Sequence, residues 1–344
     1  MKLLAIESSC DDTAAAVLID GQVRSNIVAS QDLVHHEYGG VVPELASRSH
    51  IRAITPTIER ALAEANVSLD DIEAIAATCG PGLVGSLLVG LCTAKALAFA
   101  RNLPFVGVNH LEGHLLSVQL DRRVEFPYLA LLVSGGHTSL YWAQALGCYR
   151  LLGATRDDAA GEAFDKVAKM LGLGYPGGRI IDELGGRGNP SAIRFPRARL
   201  KPAGGARPFD FSFSGIKTAV WLHVRNSGND PARHPDIAAS FQDAVVDMLL
   251  ETTLAAVEHT RVTRVVIAGG VSANSHLRQR ALAAGAASGL EIVIPSLQYC
   301  TDNAAMIGLA GAYRLERGER DPLTLNASAT LELGQTSLTS WGTA

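Results

Sequence analysis

The chain has 344 residues, of which 47% are hydrophobic and 19% are charged, and its formal net charge is −4. This length predicts about two domains, and the composition excludes global disorder. The acidic balance excludes a general nucleic-acid coat, which needs a broad basic surface. The five cysteines include no CxxC pair, which argues against a disulfide framework and against a thiolate zinc site. Because the N-terminus lacks the apolar core of a signal peptide, we expect a cytoplasmic protein.

The first third of the chain predicts a β-meander followed by alternating helices and strands. Apolar runs mark the strands, Asp20-Gly21 is typical of a hairpin turn, and isoleucines near helical spacing mark the first helix. The predicted strands cover 2–7, 13–19, 22–30, 72–79 and 105–108, and the helices cover 43–66, 83–100 and 110–120. Polar residues interrupt the apolar segment 83–100, which favours a buried helix over a membrane span.

A second β-meander begins after residue 126 and suggests an internal duplication. The strands of this part cover 128–136, 137–144, 148–155 and 264–270, and the helices lie near 158–171, 176–185, 237–249, 271–285 and 302–317. An extended loop rich in glycine, proline and arginine is predicted over 187–210. We therefore expect a first domain over 1–122, a second over 123–330 whose last helix packs back on the first, and a flexible tail over 331–344.

Strands that alternate with helices predict an α/β protein with mixed sheets. Ligands of such folds bind beyond the carboxyl ends of the strands. Small and polar residues form four loops at predicted strand ends, at 8–13, 80–82, 134–138 and 269–274. The sequence therefore predicts that these loops converge on one cleft between two domains.

Two histidines, His110 and His114, stand four residues apart on a predicted helix, so both imidazoles project from one face. Such a pair can begin a zinc or iron site, and His137 and Asp302 are candidates for a third ligand. The pattern HLEGH is not the HExxH of metalloproteases, in which a glutamate directly follows the first histidine. On spacing alone, a histidine pair that is satisfied internally or faces solvent is the more common explanation of such a pattern.

Other loops offer groups for anions and protons. Ser134-Gly135-Gly136 follows a buried strand, and its amides form either an anion site or an ordinary glycine hairpin. The segment 269–274 has a similar strand–glycine–helix form that suits a phosphate or an adenosine, although it is not the GxGxxG of dinucleotide sites. Asp11 and Asp12 follow the first strand, where they orient a reacting group, hold a cation or cap a turn.

The segment from Arg194 to Arg207 contains five basic residues and no acidic residue. It contains Arg194, Arg197, Arg199, Lys201 and Arg207. It is either a solvated loop or a local anchor for a polyanion. The aromatic segment 209–215 is more typical of a packed helix entry than of a base-stacking platform.

Nine motifs, taken together and in this order, resemble one family. They are IESSCDDT, GGVVPELASR, GPGLVGSLLVG, NHLEGH, VSGGHT, GEAFDKVAKMLGLGYPGG, FSFSGIKTA, GGVSAN and CTDNAAM. From about residue 2 to 330 the chain resembles the tRNA N6-adenosine threonylcarbamoyltransferases of the bacterial TsaD type, once described as O-sialoglycoprotein endopeptidases. The resemblance implies an actin-like, sugar-kinase and heat-shock-ATPase type of fold, with two related domains around a central cleft.

The resemblance also implies a reaction and its participants. The threonylcarbamoyl group of threonylcarbamoyl-adenylate would move to N6 of the adenosine 3′ of the anticodon, in tRNAs that read codons beginning with A. A TsaB-like paralogue would pair with the first domain, a TsaE-like ATPase would join the complex, and a TsaC-like enzyme would supply the adenylate. A metallopeptidase, an ATPase or small-molecule kinase on the same fold, and a non-catalytic scaffold are the alternatives.

The resemblance finally implies roles for individual residues. His110, His114 and Asp302 would hold one divalent metal, most often Fe²⁺, with Zn²⁺ or Mg²⁺ as alternatives. Substrate contacts are implied for Leu132, Val133, Ser134, Gly135 and Gly136, and contacts to the adenylate and its ribose for Asp165, Gly178, Asp182 and Asn274. Asp11 matches an acid near the reaction centre, and because the family often has glutamate at the position of Asp12, either residue is the candidate catalytic acid.

Overall fold

Two five-stranded mixed sheets form the framework of the computed structural model, which describes residues 1–198, 200 and 207–333. The strands of the first sheet are β1 (Lys2–Glu7), β2 (Asp12–Ile19), β3 (Gln22–Ser30), β4 (Ala74–Gly80) and β5 (Phe105–Asn109), and those of the second are β6 (Tyr128–Val133), β7 (Thr138–Ala145), β8 (Cys148–Ala154), β9 (Arg264–Ala268) and β10 (Glu291–Val293). Their spatial orders are β3-β2-β1-β4-β5 and β8-β7-β6-β9-β10. Each sheet is thus an antiparallel meander extended by two parallel strands, as the repeated pattern in the sequence suggested.

Ten helices connect and cover the sheets in the described part of the chain. They are α1 (Asp32–His35), α2 (Pro43–Glu64), α3 (Val84–Arg101), α4 (His110–Leu116), α5 (Ala160–Leu171), α6 (Gly177–Gly185), α7 (Ser214–Ser227), α8 (His234–Thr260), α9 (Ser275–Ser288) and α10 (Ala304–Glu316). The longer predicted helices and strands are confirmed, and most of their ends differ by a few residues. The exception is α8, predicted near 237–249, which continues to Thr260. The three-residue strand β10 was not predicted, because so short a run carries no periodic signal.

The first sheet is buried on both faces, and alternate residues of β1 face different helices. Leu4 and Ile6 pack in the core shared with α2 and α3, whereas Leu3 and Ala5 pack against α10. This alternation follows from the two-residue period of a strand. Although α10 comes near the end of the described chain, it therefore covers the first sheet.

The second sheet is covered in the same way. Leu129 and Leu131 of β6 pack in a core that includes α5, α7 and α8, while Tyr128 and Ala130 face a smaller core formed with α4. Helix α4 therefore lies between the two sheets, and this places its histidines at the centre of the molecule.

The segment after α10 also returns to the first sheet. The Asp321 amide donates to the Phe105 carbonyl at 2.8 Å, and the Ser328 amide donates to the Cys79 carbonyl at 2.8 Å. Leu331 packs at the edge of the core below α3. Residues 334–344 of the predicted tail lie outside the described residues.

One helix, α3, is long and apolar enough to cross a membrane by length and composition, the only such helix among the described residues. One of its faces is buried on β4 and α2. Its other face is exposed and includes Val84, Leu88 and Phe99. The expected buried helix is therefore buried on one side only.

Candidate metal centre and active site

The histidine pair stands at the start of α4, directly after the carboxyl end of β5. The Asn109 side chain caps this helix by accepting the Leu111 amide at 2.9 Å, which fixes the first turn and with it His110. His110 is 6% exposed and His114 is fully buried. Their rings meet edge to face with centroids 4.7 Å apart. Both imidazoles therefore point from one helix face into the interior, as the four-residue spacing predicted.

Asp302 approaches the pair from the turn that precedes α10. Its Oδ1 lies 3.0 Å from His114 Nε2 and 3.5 Å from His110 Nε2. One ligand atom from each of the three residues lies within 4.8 Å of the others, an arrangement that could hold a metal ion. The structure thus brings together three residues that are separated by up to 192 positions in the sequence.

The carboxylates around His110 control its charge in the metal-free protein. Burial alone would lower the pKa of His110, but the charges of Asp302 and Glu7 and their hydrogen bonds outweigh burial and hold this pKa well above its usual range. Burial likewise would raise the pKa of Asp302, but His110 and His114 hold it well below its usual range. A metal at this centre therefore has to displace a proton from His110.

His137, the other candidate ligand, is not part of this three-residue group. It lies near enough to be influenced by the group, because burial and the charges of His110 and His114 lower the pKa of His137 to about 4. Its amide donates to Ser134 Oγ at 3.1 Å. The loop that follows β6 thus borders the histidine pair without supplying a ligand atom to it.

Glu7, the last residue of β1, is a site residue that the sequence analysis missed. Its side chain is fully buried, and its Oε2 lies 3.0 Å from His110 Nδ1. The same oxygen accepts the Thr78 hydroxyl at 2.5 Å, and Oε1 accepts the Ser9 amide. A signal was present in the sequence, since a carboxylate that ends an apolar strand is seldom buried without a partner.

The two candidate acids follow β1: Asp11 lies in the turn before β2, and Asp12 is the first residue of β2. Burial and the neighbouring charges of Asp302 and Asp11 raise the pKa of Asp12 to about 8. Burial also raises the pKa of Asp11, whose Oδ2 accepts the Tyr175 hydroxyl at 3.4 Å. Tyr175 belongs to the segment between α5 and α6, so this contact crosses from the first sheet to the helices of the second.

The loop after β6 has the form expected of an anion site. Leu132 and Val133 are buried in the strand, Ser134 is half-buried, and Gly135 and Gly136 are exposed. The Ser134 amide donates to the His137 carbonyl at 2.7 Å, whereas within the described part of the chain the amides of both glycines have no acceptor. Two backbone amides at this strand end are therefore available to a ligand.

Helix α5 packs tightly below this loop. A Cβ added to Gly161 would lie 2.6 Å from the Ser134 carbonyl oxygen, and one added to Gly269 would lie 2.5 Å from the Val133 carbonyl oxygen. Glycine is therefore needed at both positions for close backbone approach. These contacts bring the loop 269–274 beside the loop after β6, as the cleft hypothesis requires.

The four residues expected around the adenylate form one connected set. Asp165 accepts the Gly177 amide at 2.8 Å and so caps α6, the helix that carries Gly178 and Asp182. Asp182 accepts the amide and the hydroxyl of Ser275, both at 2.9 Å, next to Asn274. Asn274 caps α9 by accepting the Leu277 amide at 2.8 Å. Burial raises the pKa of Asp165 to about 6 although its bonded amides oppose the shift.

Comparison with known proteins decides which family this site belongs to. The family model described as tRNA N6-adenosine threonylcarbamoyltransferase (TsaD) matches residues 22–309. The chain belongs to this family. It is 54% identical to the tRNA N6-adenosine threonylcarbamoyltransferase of Geobacter sp. (strain M21), covering 98% of both chains, and 51% identical to that of Nostoc sp. (strain PCC 7120), covering 97% of both. The protein is thus a transferase that modifies tRNA.

Solved structures establish the fold of this threonylcarbamoyltransferase family member. Full-length HypF in its phosphate- and nucleotide-bound form superposes with a TM-score of 0.63 at 15% identity and covers 92% of this chain. T. kodakarensis HypF gives a TM-score of 0.63 at 13% identity. The chain spans about half of each HypF chain, 55% and 48%. The expected actin-like fold is confirmed.

The basic segment of this transferase differs from the expected polyanion anchor at one position. Arg197 Nη2 lies 2.9 Å from carboxylate oxygens of both Asp243 and Asp247 on α8, so its charge is already paired. Both aspartates are distant from Arg197 in sequence, so counting charges within the basic segment does not reveal that Arg197 is neutralised. Arg199 and Lys201 lie outside the described residues.

Two neighbouring features have no part in the site. Phe209, Phe211 and Phe213 are buried in the core, which confirms that their segment is a packed helix entry. Two cavities, of 260 and 690 Å³, adjoin Phe209, and none of the residues expected to hold the metal or the adenylate lines either of them. Both are lined by residues that flank the undescribed segment 201–206.

Proposed function

We propose that the protein transfers the threonylcarbamoyl group from threonylcarbamoyl-adenylate to N6 of the adenosine 3′ of the anticodon, in tRNAs that read codons beginning with A. The family supplies the class of reaction. The observation that carries the proposal is the convergence of His110, His114 and Asp302 beside the loop after β6. A reactive acyl group can there be held between an electropositive centre and free backbone amides.

The donor set fits a divalent metal. Two buried imidazoles and one carboxylate point at a common position, and His110 Nδ1 has a carboxylate partner, as metal-bound histidines usually do. Imidazole donors favour iron or zinc over magnesium, so we propose one Fe²⁺ per chain, with Zn²⁺ and Mg²⁺ as alternatives. When bound, such an ion supplies a Lewis acid and a template for substrate oxygens.

The chemistry sets two tasks for the chain itself. Threonylcarbamoyl-adenylate is a mixed anhydride, so AMP leaves readily, whereas the exocyclic amine of adenine is a weak nucleophile. The bond between N6 and the carbamoyl carbon forms, the bond from that carbon to the phosphate oxygen breaks, and N6 loses a proton. The protein must orient the two reactants, accept the proton and stabilise charge on the departing phosphate.

The loop after β6 and the connected set around α6 suit the adenylate. We propose that the free amides of Gly135 and Gly136 bind its phosphate and that Leu132, Val133 and Ser134 hold this loop in place. Asp165, Gly178, Asp182 and Asn274 would contact the nucleoside. The first amides of α5 are already used, since Ala160 donates to Thr138 Oγ1 at 2.8 Å, which leaves the loop amides as the anion donors.

Asp11 and Asp12 are the candidate proton acceptors. The raised pKa of Asp12, about 8, is close to the value that suits a general base at neutral pH. Asp11 accepts a hydrogen bond from the Tyr175 hydroxyl, which restrains its side chain. We keep both as catalytic candidates, and transfer rates of Asp11→Asn and Asp12→Asn measured against pH would separate them, since only loss of the base removes the ascending limb of the profile.

A TsaB-like paralogue is the proposed partner of the first domain, which we place at residues 1–122. Val84, Leu88, Cys92 and Phe99 form an exposed stripe on α3, with Leu88 42% and Phe99 77% exposed. Ile51 of α2 is exposed as well. Several exposed apolar side chains on two packed helices are typical of a protein interface. A TsaE-like ATPase would join this complex.

Unpaired cations offer contacts for the tRNA outside the cleft. Arg194, Arg225 and Arg233 are exposed and form no ion pair with another residue of the described chain. The Arg225 guanidinium lies 5.1 Å from the ring centre of the exposed Trp221. Phosphates bind such cations, and bases stack on such rings. A tRNA-modifying enzyme with these features is expected in the cytoplasm.

The direct test is transfer from synthetic threonylcarbamoyl-adenylate to an unmodified tRNA by metal-loaded protein with its partners present. Mass spectrometry of the nucleosides should detect threonylcarbamoyladenosine with wild type and with the surface control His259→Ala, but only background with His110→Ala. Wild-type protein that forms no product contradicts the proposal. Hydrolysis of a protein substrate would instead indicate a metallopeptidase. Phosphotransfer from ATP that persists in His110→Ala would indicate a kinase, and full tRNA modification by His110→Ala would indicate a scaffold.

A further inference from the structure

We propose that Glu7 is a positioning residue for His110: its carboxylate holds the Nδ1–H of the ring, so that the neutral, metal-binding form of the imidazole has its lone pair on Nε2, which faces His114 and Asp302. The inference rests on the proposed metal centre and deepens it. It assigns to the end of β1 a part in metal binding, although Glu7 itself supplies no ligand atom to the three-residue group.

The geometry allows only one direction for this hydrogen bond. Glu7 Oε2 lies 3.0 Å from His110 Nδ1, and an ionised carboxylate accepts but cannot donate. Nδ1 therefore carries the hydrogen, which leaves the lone pair of the neutral imidazole on Nε2. Nε2 is the atom that lies 3.5 Å from Asp302 Oδ1. The ring thus presents its donor atom toward the other two ligands.

Glu7 is itself held in place, which a positioning group requires. Its Oε2 also accepts the Thr78 hydroxyl at 2.5 Å, and Oε1 accepts the amide of Ser9. Thr78 lies on β4, the parallel neighbour of β1, so the carboxylate is fixed to two strands of the sheet. The Glu7 carboxylate cannot rotate without losing these hydrogen bonds. Because the carboxylate is fixed, it also restricts the orientation of the His110 ring.

The second histidine provides a contrast within the same site. His114 Nδ1 is buried and has no hydrogen-bond partner in the described part of the chain. The orientation of His114 therefore depends on its packing and on Asp302, whereas His110 Nδ1 has two partners, Glu7 at 3.0 Å and the Ser9 hydroxyl at 3.2 Å. Glu7 has no exposed surface, and burying a charged carboxylate costs free energy. Its burial therefore indicates a role that needs the charge.

The variant Glu7→Gln tests the role of the charge with little change of shape. A glutamine has one accepting oxygen, and if that oxygen keeps the Ser9 amide, its NH₂ group faces His110 Nδ1. Nδ1 then accepts a hydrogen bond from this NH₂ group, with the Ser9 hydroxyl, 3.2 Å away, as its other neighbour. The hydrogen of the neutral ring moves to Nε2, which then cannot bind a metal. We expect the Zn²⁺ affinity to fall by about 10- to 100-fold, as when partners of metal-bound histidines are lost elsewhere.

Glu112→Gln is the matched control. Glu112 lies on α4 between the two histidines, and its Oε1 accepts the Tyr149 hydroxyl at 2.9 Å, away from the metal group. Glu112→Gln makes the same glutamate-to-glutamine change, on the helix that carries both histidines. Its Zn²⁺ affinity should stay within about twofold of wild type, which is well below the change that second-sphere partners cause.

The experiment titrates Zn²⁺ into metal-free full-length protein against a chelator, and records the ring nitrogens of His110 in Zn²⁺-loaded protein by NMR. Wild type should show a protonated Nδ1, and Glu7→Gln should bind Zn²⁺ weakly while its unfolding temperature stays close to that of wild type. Unchanged Zn²⁺ affinity in Glu7→Gln overturns the inference. A protonated Nε2 in wild type overturns it as well.

Two further variants separate this inference from the proposed function. His110→Ala and His114→Ala should lose Zn²⁺ binding altogether. If they bind Zn²⁺ as tightly as wild type, the metal centre itself is wrong. If they lose binding while Glu7→Gln keeps it, the metal centre stands and only the role of Glu7 is wrong. If Glu7→Gln unfolds, the variant Thr78→Val takes its place, because it removes one hydrogen bond that fixes the Glu7 carboxylate. We expect a smaller loss of Zn²⁺ affinity in Thr78→Val. An unchanged affinity in this variant contradicts the inference.

Discussion

His110 lies between the carboxylates of Glu7 and Asp302, and this position links metal binding to pH. Because these carboxylates hold the pKa of His110 well above its usual range in the metal-free protein, a proton occupies the ring at neutral pH. Metal binding must release that proton. We predict that Zn²⁺ affinity rises with pH until the metal-free ring loses its proton, and that titration calorimetry in buffers of different ionisation enthalpy detects the proton released. An affinity that does not change from about pH 6 to about pH 8 contradicts this prediction.

Asp12 should weaken the metal-free fold as the pH rises. Burial and the charges of Asp302 and Asp11 raise its pKa to about 8, far above the value of about 3.9 for an unfolded chain. A raised folded pKa favours folding below the unfolded value, and that contribution is lost as pH rises through the folded value. Asp12→Asn should therefore raise the unfolding temperature more at about pH 9 than at about pH 5. Equal gains at both pH values in thermal unfolding of metal-free protein would contradict the assignment.

At the scale of single elements, the start of α5 fixes the loop that we assign to the adenylate. In Gly161→Ala, the new methyl group would lie 2.6 Å from the Ser134 carbonyl oxygen and 2.8 Å from Gly135 Cα. We predict a loss of about 1–3 kcal/mol in the free energy of unfolding and a higher KM for the adenylate, because the loop must move. Denaturant unfolding and steady-state transfer kinetics measure the two effects.

Gly215 on α7 is the matched control, since a Cβ there meets no atom within 4 Å. Gly215→Ala should leave KM unchanged and stabilise the protein by up to about 1 kcal/mol, because alanine favours a helix over glycine. If both alanine variants behave alike, close packing at Gly161 does not position the loop.

Helix α3 carries the proposed docking surface. Leu88 is 42% exposed in the centre of the apolar stripe, so Leu88→Glu should leave the fold intact. It should weaken binding of the TsaB-like partner by about tenfold or more, which corresponds to about 1.4 kcal/mol. Leu282, also an exposed leucine but on α9, provides the control Leu282→Glu. Calorimetry of the purified partners measures both, and equal affinities for the two variants would place the interface elsewhere.

At the scale of the whole molecule, the sequence predicted most of the architecture because its local signals are strong. Apolar runs and glycine turns marked both meanders, and the identical strand order of the two sheets agrees with the suggested duplication. The four-residue spacing placed His110 and His114 on one face of α4. These features depend on neighbouring residues, which periodicity describes well.

Contacts between distant segments were harder to predict from the sequence. The pairing of Arg197 with Asp243 and Asp247 joins residues about 50 positions apart, so the charge of the basic segment was overestimated. Glu7, at the end of β1, contacts His110 across 103 positions of the sequence. The segment 319–333 returns to the first sheet, although no local sequence pattern predicts this contact. Such contacts arise from tertiary packing. For the third ligand the sequence left both His137 and Asp302 open, and the resemblance to a family favoured Asp302.

The central claim is that the group formed by His110, His114 and Asp302 performs threonylcarbamoyl transfer to tRNA. One measurement tests it most directly: threonylcarbamoyladenosine formed per minute and metal bound per chain, determined on the same preparations of wild type and Asp302→Asn. We predict about one metal per wild-type chain with product formation, and a parallel loss of both in the variant, with an unchanged circular dichroism spectrum. A folded Asp302→Asn protein that forms product at the wild-type rate would contradict the account.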